Sequence, residues 1–171
     1  MNWNEFENSC FQLTVKLIKK ILSEKPDEHF YAFCLYTDSS AMTVSMSANS
    51  EEKLKSILAA DDDKSEENQN YYKWSTSEWA YEGYGADFFS ELSKELRLVP
   101  ERKEFSYFKE NLINSLTKSL KRVNEELGQD KYVMFVTITD DDDAEYIEKT
   151  SSGIINSKVT HHMFLSRFGD V

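Results

Sequence analysis

Two eight-residue stretches constrain this chain most. Phe30-Tyr31-Ala32-Phe33-Cys34-Leu35-Tyr36-Thr37 is apolar on both alternating sets of side chains, and Tyr132-Val133-Met134-Phe135-Val136-Thr137-Ile138-Thr139 is so for most of its length. Successive side chains of a β-strand point to opposite faces, so a strand without a polar side has to be covered on both. Between them, Asp38-Ser39-Ser40 reads as a turn. Beyond it Met42, Val44, Met46 and Ala48 alternate with Thr43, Ser45 and Ser47, the period of a half-exposed strand. The expectation is a hairpin of strands 30–37 and 42–48 joined in one sheet by a third strand, 132–139.

Two long amphipathic helices can supply the cover. Phe6, Cys10, Leu13, Leu17 and Ile21 step by three or four through residues 4–22, and Pro26 follows. Phe105, Phe108, Leu112, Leu116, Leu120 and Val123 do the same through residues 105–127, with Gly128 placed for a left-handed C-terminal cap. Shorter helices are expected at 51–60, capped by Asn49 or Ser50, and around Phe89, Leu92 and Leu96 before Pro100. Residues 144–150 form at most a helical turn, broken by Ser151-Ser152-Gly153, and the pattern leaves 154–171 open between strand and helix. The class is α+β: a single domain with a small, mainly antiparallel sheet packed on helices.

Residues 61–70 contain no apolar side chain and read as a solvated loop. They lead into residues 71–85, which gather two of the three Trp and four of the nine Tyr. Ser75 with Glu78 three residues on has the spacing of a capping box, so a helical turn is expected to start there.

Charge bounds the function. Asp and Glu number 31 against 20 Lys and Arg, a net charge of −11. Such a surface repels nucleic-acid phosphates and anionic lipid and attracts basic proteins. The N-terminus lacks a basic region followed by an apolar one, no apolar run reaches membrane-spanning length, and two cysteines in apolar patterns point to buried thiols; the expected location is cytoplasmic. No metal is expected. Asp61-Asp62-Asp63 and Asp140-Asp141-Asp142-Asp143 lack the alternating ligands, glycine and distal Glu of a calcium loop, and His161-His162 has no metal-ligand spacing. No cofactor and no catalytic residue is expected either: nucleophile elbow, phosphate loop and dinucleotide fingerprint are all missing. Glu78 and Glu82, four apart, could form a carboxylate pair on a helix, which leaves an unrecognised hydrolase as an alternative.

Protein binding fits the residues better. Trp74, Trp79, Glu82 and Tyr84, flanked by Asp140, Asp141, Asp142 and Asp143, would make an acidic surface with aromatic anchors. Phe30 to Asp38, and then Tyr72-Lys73-Trp74-Ser75-Thr76-Ser77-Glu78-Trp79-Ala80-Tyr81-Glu82, resemble the bacterial family known as domain of unknown function 4303, over roughly residues 5–150. The resemblance implies a cytosolic protein without an established activity. It also implies an immunity role against a secreted polymorphic toxin; an interaction or regulatory domain without a toxin partner is the alternative.

Overall fold

Strand β1 (Phe30–Asp38) lies between β2 (Ser45–Ser50) and β3 (Val133–Thr139) in a three-stranded sheet. Its central place follows from its lack of a polar side. Phe33 and Leu35 enter one core, and Ala32 and Cys34 enter a second on the opposite face. On β3, Met134, Val136 and Ile138 join the first core while Val133 and Phe135 join the second. The computed structural model describes residues 1–99 and 104–169. Pro100, where a helix stop was expected, lies outside the described residues.

The first face is covered by α1 (Trp3–Glu24) and α5 (Phe105–Leu127), as the two long stripes required. Leu17, Ile18 and Ile21 meet Leu112, Leu116 and Leu120 over the sheet, all fully buried. Each such side chain contributes roughly 1.5–3 kcal/mol on burial. The α+β class is therefore as expected, with one difference in the sheet. β2 runs antiparallel to β1, but β3 pairs with β1 in parallel, Cys34 opposite Phe135. Parallel neighbours need a long crossover, which α2 (Glu51–Ala60), α3 (Glu66–Trp74), α4 (Ser90–Arg97) and α5 supply.

Local chemistry moves several boundaries. The Asp38 carboxylate accepts the N–H of Ser40 at 2.9 Å and that of Met42 at 3.3 Å, holding the next residues as a loop, so β2 begins at Ser45 rather than 42. It ends at Ser50, whose hydroxyl accepts from Lys53 N–H and caps α2. Half of the expected 61–70 loop is helical. Ser65 caps α3 by accepting from Asn68 N–H, and Glu66 and Glu67 complement the dipole of a helix with one buried residue, Trp74.

Helix α6 (Ala144–Ile155) continues through Ser151-Ser152-Gly153, and α7 (Lys158–Leu165) follows it. The small residues are needed there because α6 lies along the outer edge of β3. Ser151 Oγ accepts from Val136 N–H at 2.9 Å, and the Asn156 side chain accepts from Met134 N–H at 3.0 Å and donates to Met134 O at 2.7 Å. Side chains thus replace a fourth strand. A Cβ on Gly153 would come within 3.2 Å of the His161 ring, so the glycine admits α7.

Candidate functional site

Trp74 and Trp79 are not surface anchors: they are 5% and 3% exposed. Both plug the second face of the sheet, where Trp79 meets Tyr31 and Phe135 edge-on and Trp74 meets Phe164 of α7. The Trp79 Nε1–H donates to Lys73 O at 3.0 Å, which removes the cost of burying it. That face lacked cover, and the aromatic segment provides it. Ser75 precedes a short 3-10 turn (Thr76–Glu78) but makes no side-chain cap, and Glu78 instead accepts from Tyr71 OH at 3.0 Å. The capping-box expectation fails because Ser75 already ends α3.

Glu82, Tyr81 and Tyr84 of the segment are tied down as well. Tyr36 donates to Glu82, Tyr81 donates to Glu28 at 2.6 Å, and Tyr84 sits between Glu24 and Lys20. Gly85 has φ +65, and a Cβ there would lie 2.3 Å from Leu17 Cδ1, so only glycine fits. Glu82 is exposed and Tyr84 half-buried, each engaged within the chain.

A buried ion pair closes the second core. Arg167 donates to Glu148 at 2.7 Å, and Glu148 also accepts from the Thr137 hydroxyl at 2.7 Å. Burial raises the Glu148 pKa against the opposing pull of Arg167. Cys10 and Cys34 are free and fully buried; burial pushes the Cys10 thiol up to about 12 and Cys34 well above its ordinary value. Neither is a nucleophile in this state.

An open groove lies elsewhere on the surface, between α5 and α6. Phe105, Lys109 and Ile113 on one side and Tyr146, Ile147 and Ile154 on the other line a groove of about 400 Å³. Tyr146 is 71% exposed, and Phe105 and Ile154 also face water. Asp140 to Asp143 sit at one end, because β3 stops in a turn where Asp140 takes φ 55 and Asp143 precedes α6. Lys109 donates to Asp141 at 2.7 Å and to Asp143 at 3.0 Å. That hydrogen bond holds the Asp141 carboxyl below the usual range, while the two carboxylates outweigh burial and raise the lysine. Asp140, Asp142 and the outer edge of Asp143 stay exposed, with Glu110 on the groove wall and Glu145 beside it.

The arrangement brings Asp140 to Asp143 together with aromatic rings, though not those of Trp74, Trp79 or Tyr84. The other acidic run shares no rim with them. It leads into α3, whose Lys73 and Trp74 lie with Val133 at the start of β1 and β3, whereas Asp140 follows the far end of β3. Sequence reasoning placed Phe105 on the buried stripe and passed over Tyr146. The available signal was an aromatic on the polar face of a helix directly after four aspartates.

Among the described residues, no cluster of three or more His, Cys, Asp or Glu could hold a metal ion, and no helix is long and apolar enough to cross a membrane. No curated protein and no solved structure matches the chain. The β1 strand, the aromatic segment, α5 and β3 all fall within the stretch that a family model does match, residues 12–152, and the chain belongs to that family, described as domain of unknown function (DUF4303).

Proposed function

We propose that this chain is a non-catalytic protein-binding domain that captures a basic partner in the groove between α5 and α6. The observation that carries this is the meeting of an open apolar groove with a cluster of carboxylates at one end of it. Apolar side chains held in water favour a partner, and the carboxylates choose its sign. A second copy of a chain of net charge −11 is disfavoured by the same field. Most concretely, the protein is a cytoplasmic immunity protein that neutralises a toxin by masking a cationic surface.

The test uses an arginine- and leucine-rich amphipathic peptide and the full chain. Chemical-shift changes should map to Ile113, Tyr146 and Ile154, with affinity falling as salt rises. Replacing Asp140, Asp142 and Asp143 together with Asn should slow association and flatten that salt dependence, and Tyr146→Ala should accelerate dissociation. Shifts confined to another surface would overturn the reading. For the immunity role, a toxin domain encoded beside this chain should be suppressed in cells by the wild type and not by the triple Asn variant.

A further inference from the structure

Resting on that reading, we infer that the groove's occupant is an α-helix of about three turns, antiparallel to α5 and α6, with its basic residues in its last turn.

The walls decide the conformation. Both are helical, so the groove presents side chains from Phe105 to Thr117 and from Tyr146 to Ile154, while the backbone behind them is bonded within α5 and α6. An extended peptide laid there would find no N–H or C=O to pair with, in contrast to one added at a sheet edge. A helix arrives with its backbone already satisfied and offers an apolar stripe. From Phe105 to Thr117, α5 rises about 18 Å, which a helix of about twelve residues matches.

Polarity follows from how the walls run. Lys109 near the start of α5 reaches Asp143 at the start of α6, and Asn124 near the end of α5 donates to Ile155 O at the end of α6, 2.9 Å. The two helices therefore point the same way, and both N-termini lie at the acidic end. Asn114, Thr117 and Ile154 make the other end neutral. The partner's cations belong at the acidic end, where Asp140, Asp142 and the exposed edge of Asp143 lie. A helix carries cations best in its last turn, where they complement its own dipole, and less well in its first. Its C-terminal pole then faces the two N-terminal poles of the groove.

Three peptides of equal length test this against the full chain by calorimetry and NMR: three arginines in the last turn, the same composition with the three in the first, and the first design interrupted by a central proline. The C-terminally basic peptide should bind about two- to fivefold tighter than its counterpart. A nitroxide on its N-terminus should broaden Thr117 and Ile154, and the proline should weaken binding at least about tenfold, since it removes a helix-interior bond. Broadening of Phe105 and Lys109 instead, or equal affinity for the two arginine placements, would overturn the polarity. Undiminished binding of the proline peptide would overturn the helix. If no peptide perturbs the groove, the reading beneath this inference fails too; binding there with the wrong polarity or conformation leaves that reading standing.

Discussion

The segment from Trp74 to Tyr84 and the groove between α5 and α6 both set aromatic rings beside carboxylates, and they use them in opposite ways. In the first, every aromatic has a partner inside the chain: Trp79 bonds a carbonyl, Tyr81 Glu28 and Tyr84 Glu24, and the Trp74 ring packs edge-on against Phe164. In the second, the Tyr146 ring stands in water, and the carboxylates nearest it outnumber the lysines that pair with them. Aromatic density is thus a poor guide to a binding surface. A dense run in which each ring has a partner within the chain closes a core, whereas a single ring on a polar helix face, next to unpaired charge, stays open.

The largest expected break in this comparison is Trp79→Ala. It should cost about 3–5 kcal/mol by denaturant unfolding, the price of an aromatic-sized cavity, while Tyr146→Ala should stay within about 0.5 kcal/mol. Similar losses for the two would erase the distinction. Next comes Arg167→Ala, which leaves the buried Glu148 carboxyl without its cation. A loss of about 3 kcal/mol is expected, and the double variant Glu148→Gln, Arg167→Met should recover part of it, because the pair itself is worth less than an orphaned member costs. A single variant that unfolds at the wild-type denaturant midpoint would show the pair to be idle.

Smaller effects sharpen the local reading. Ser65→Ala should remove about 1 kcal/mol as the loss of a helix cap, and Ser75→Ala only a few tenths, measured in parallel. The reverse order would restore the cap to Ser75. Smallest is the acid limb of stability. Lys109 holds the folded-state pKa of Asp141 below its unfolded value, so its contribution is full above about pH 4 and lost as the pH falls through the folded value. For this partly solvated pair the contribution is about 1 kcal/mol or less, and Asp141→Asn should flatten that part of the pH profile. An unchanged profile would mean that the pair leaves stability untouched.

What was legible in the sequence was whatever repeats along it. The α1 and α5 stripes and the two fully apolar strands have a period, and they gave the first core and the central place of β1. Helix α3 has no such stripe, since its single buried residue is Trp74 and its start is announced only by Ser65. Helix α6 was hidden by Ser151-Ser152-Gly153, where small residues mark contact with the edge of β3 rather than a stop. The parallel pairing of β1 with β3 and the burial of Trp74 and Trp79 depend on which face the intervening chain returns to, and no local pattern encodes that. The groove is illegible for the same reason: its walls, Lys109 and Asp143, are brought together by tertiary packing.

The side-chain bonds from Ser151 and Asn156 to β3 have a consequence for how that groove can work. Ser151 also lines the groove, so the helix that forms one wall is the same element that shields the strand. Were α6 to swing outward to admit a guest, Met134 and Val136 would present free amides and carbonyls on a stretch of almost wholly apolar sequence, a template for stacking with another chain and for fibre growth. Widening the groove would therefore put solubility at risk. Its wall is fixed by a hazard on its other side, so the partner we propose for it would meet a shape set in advance.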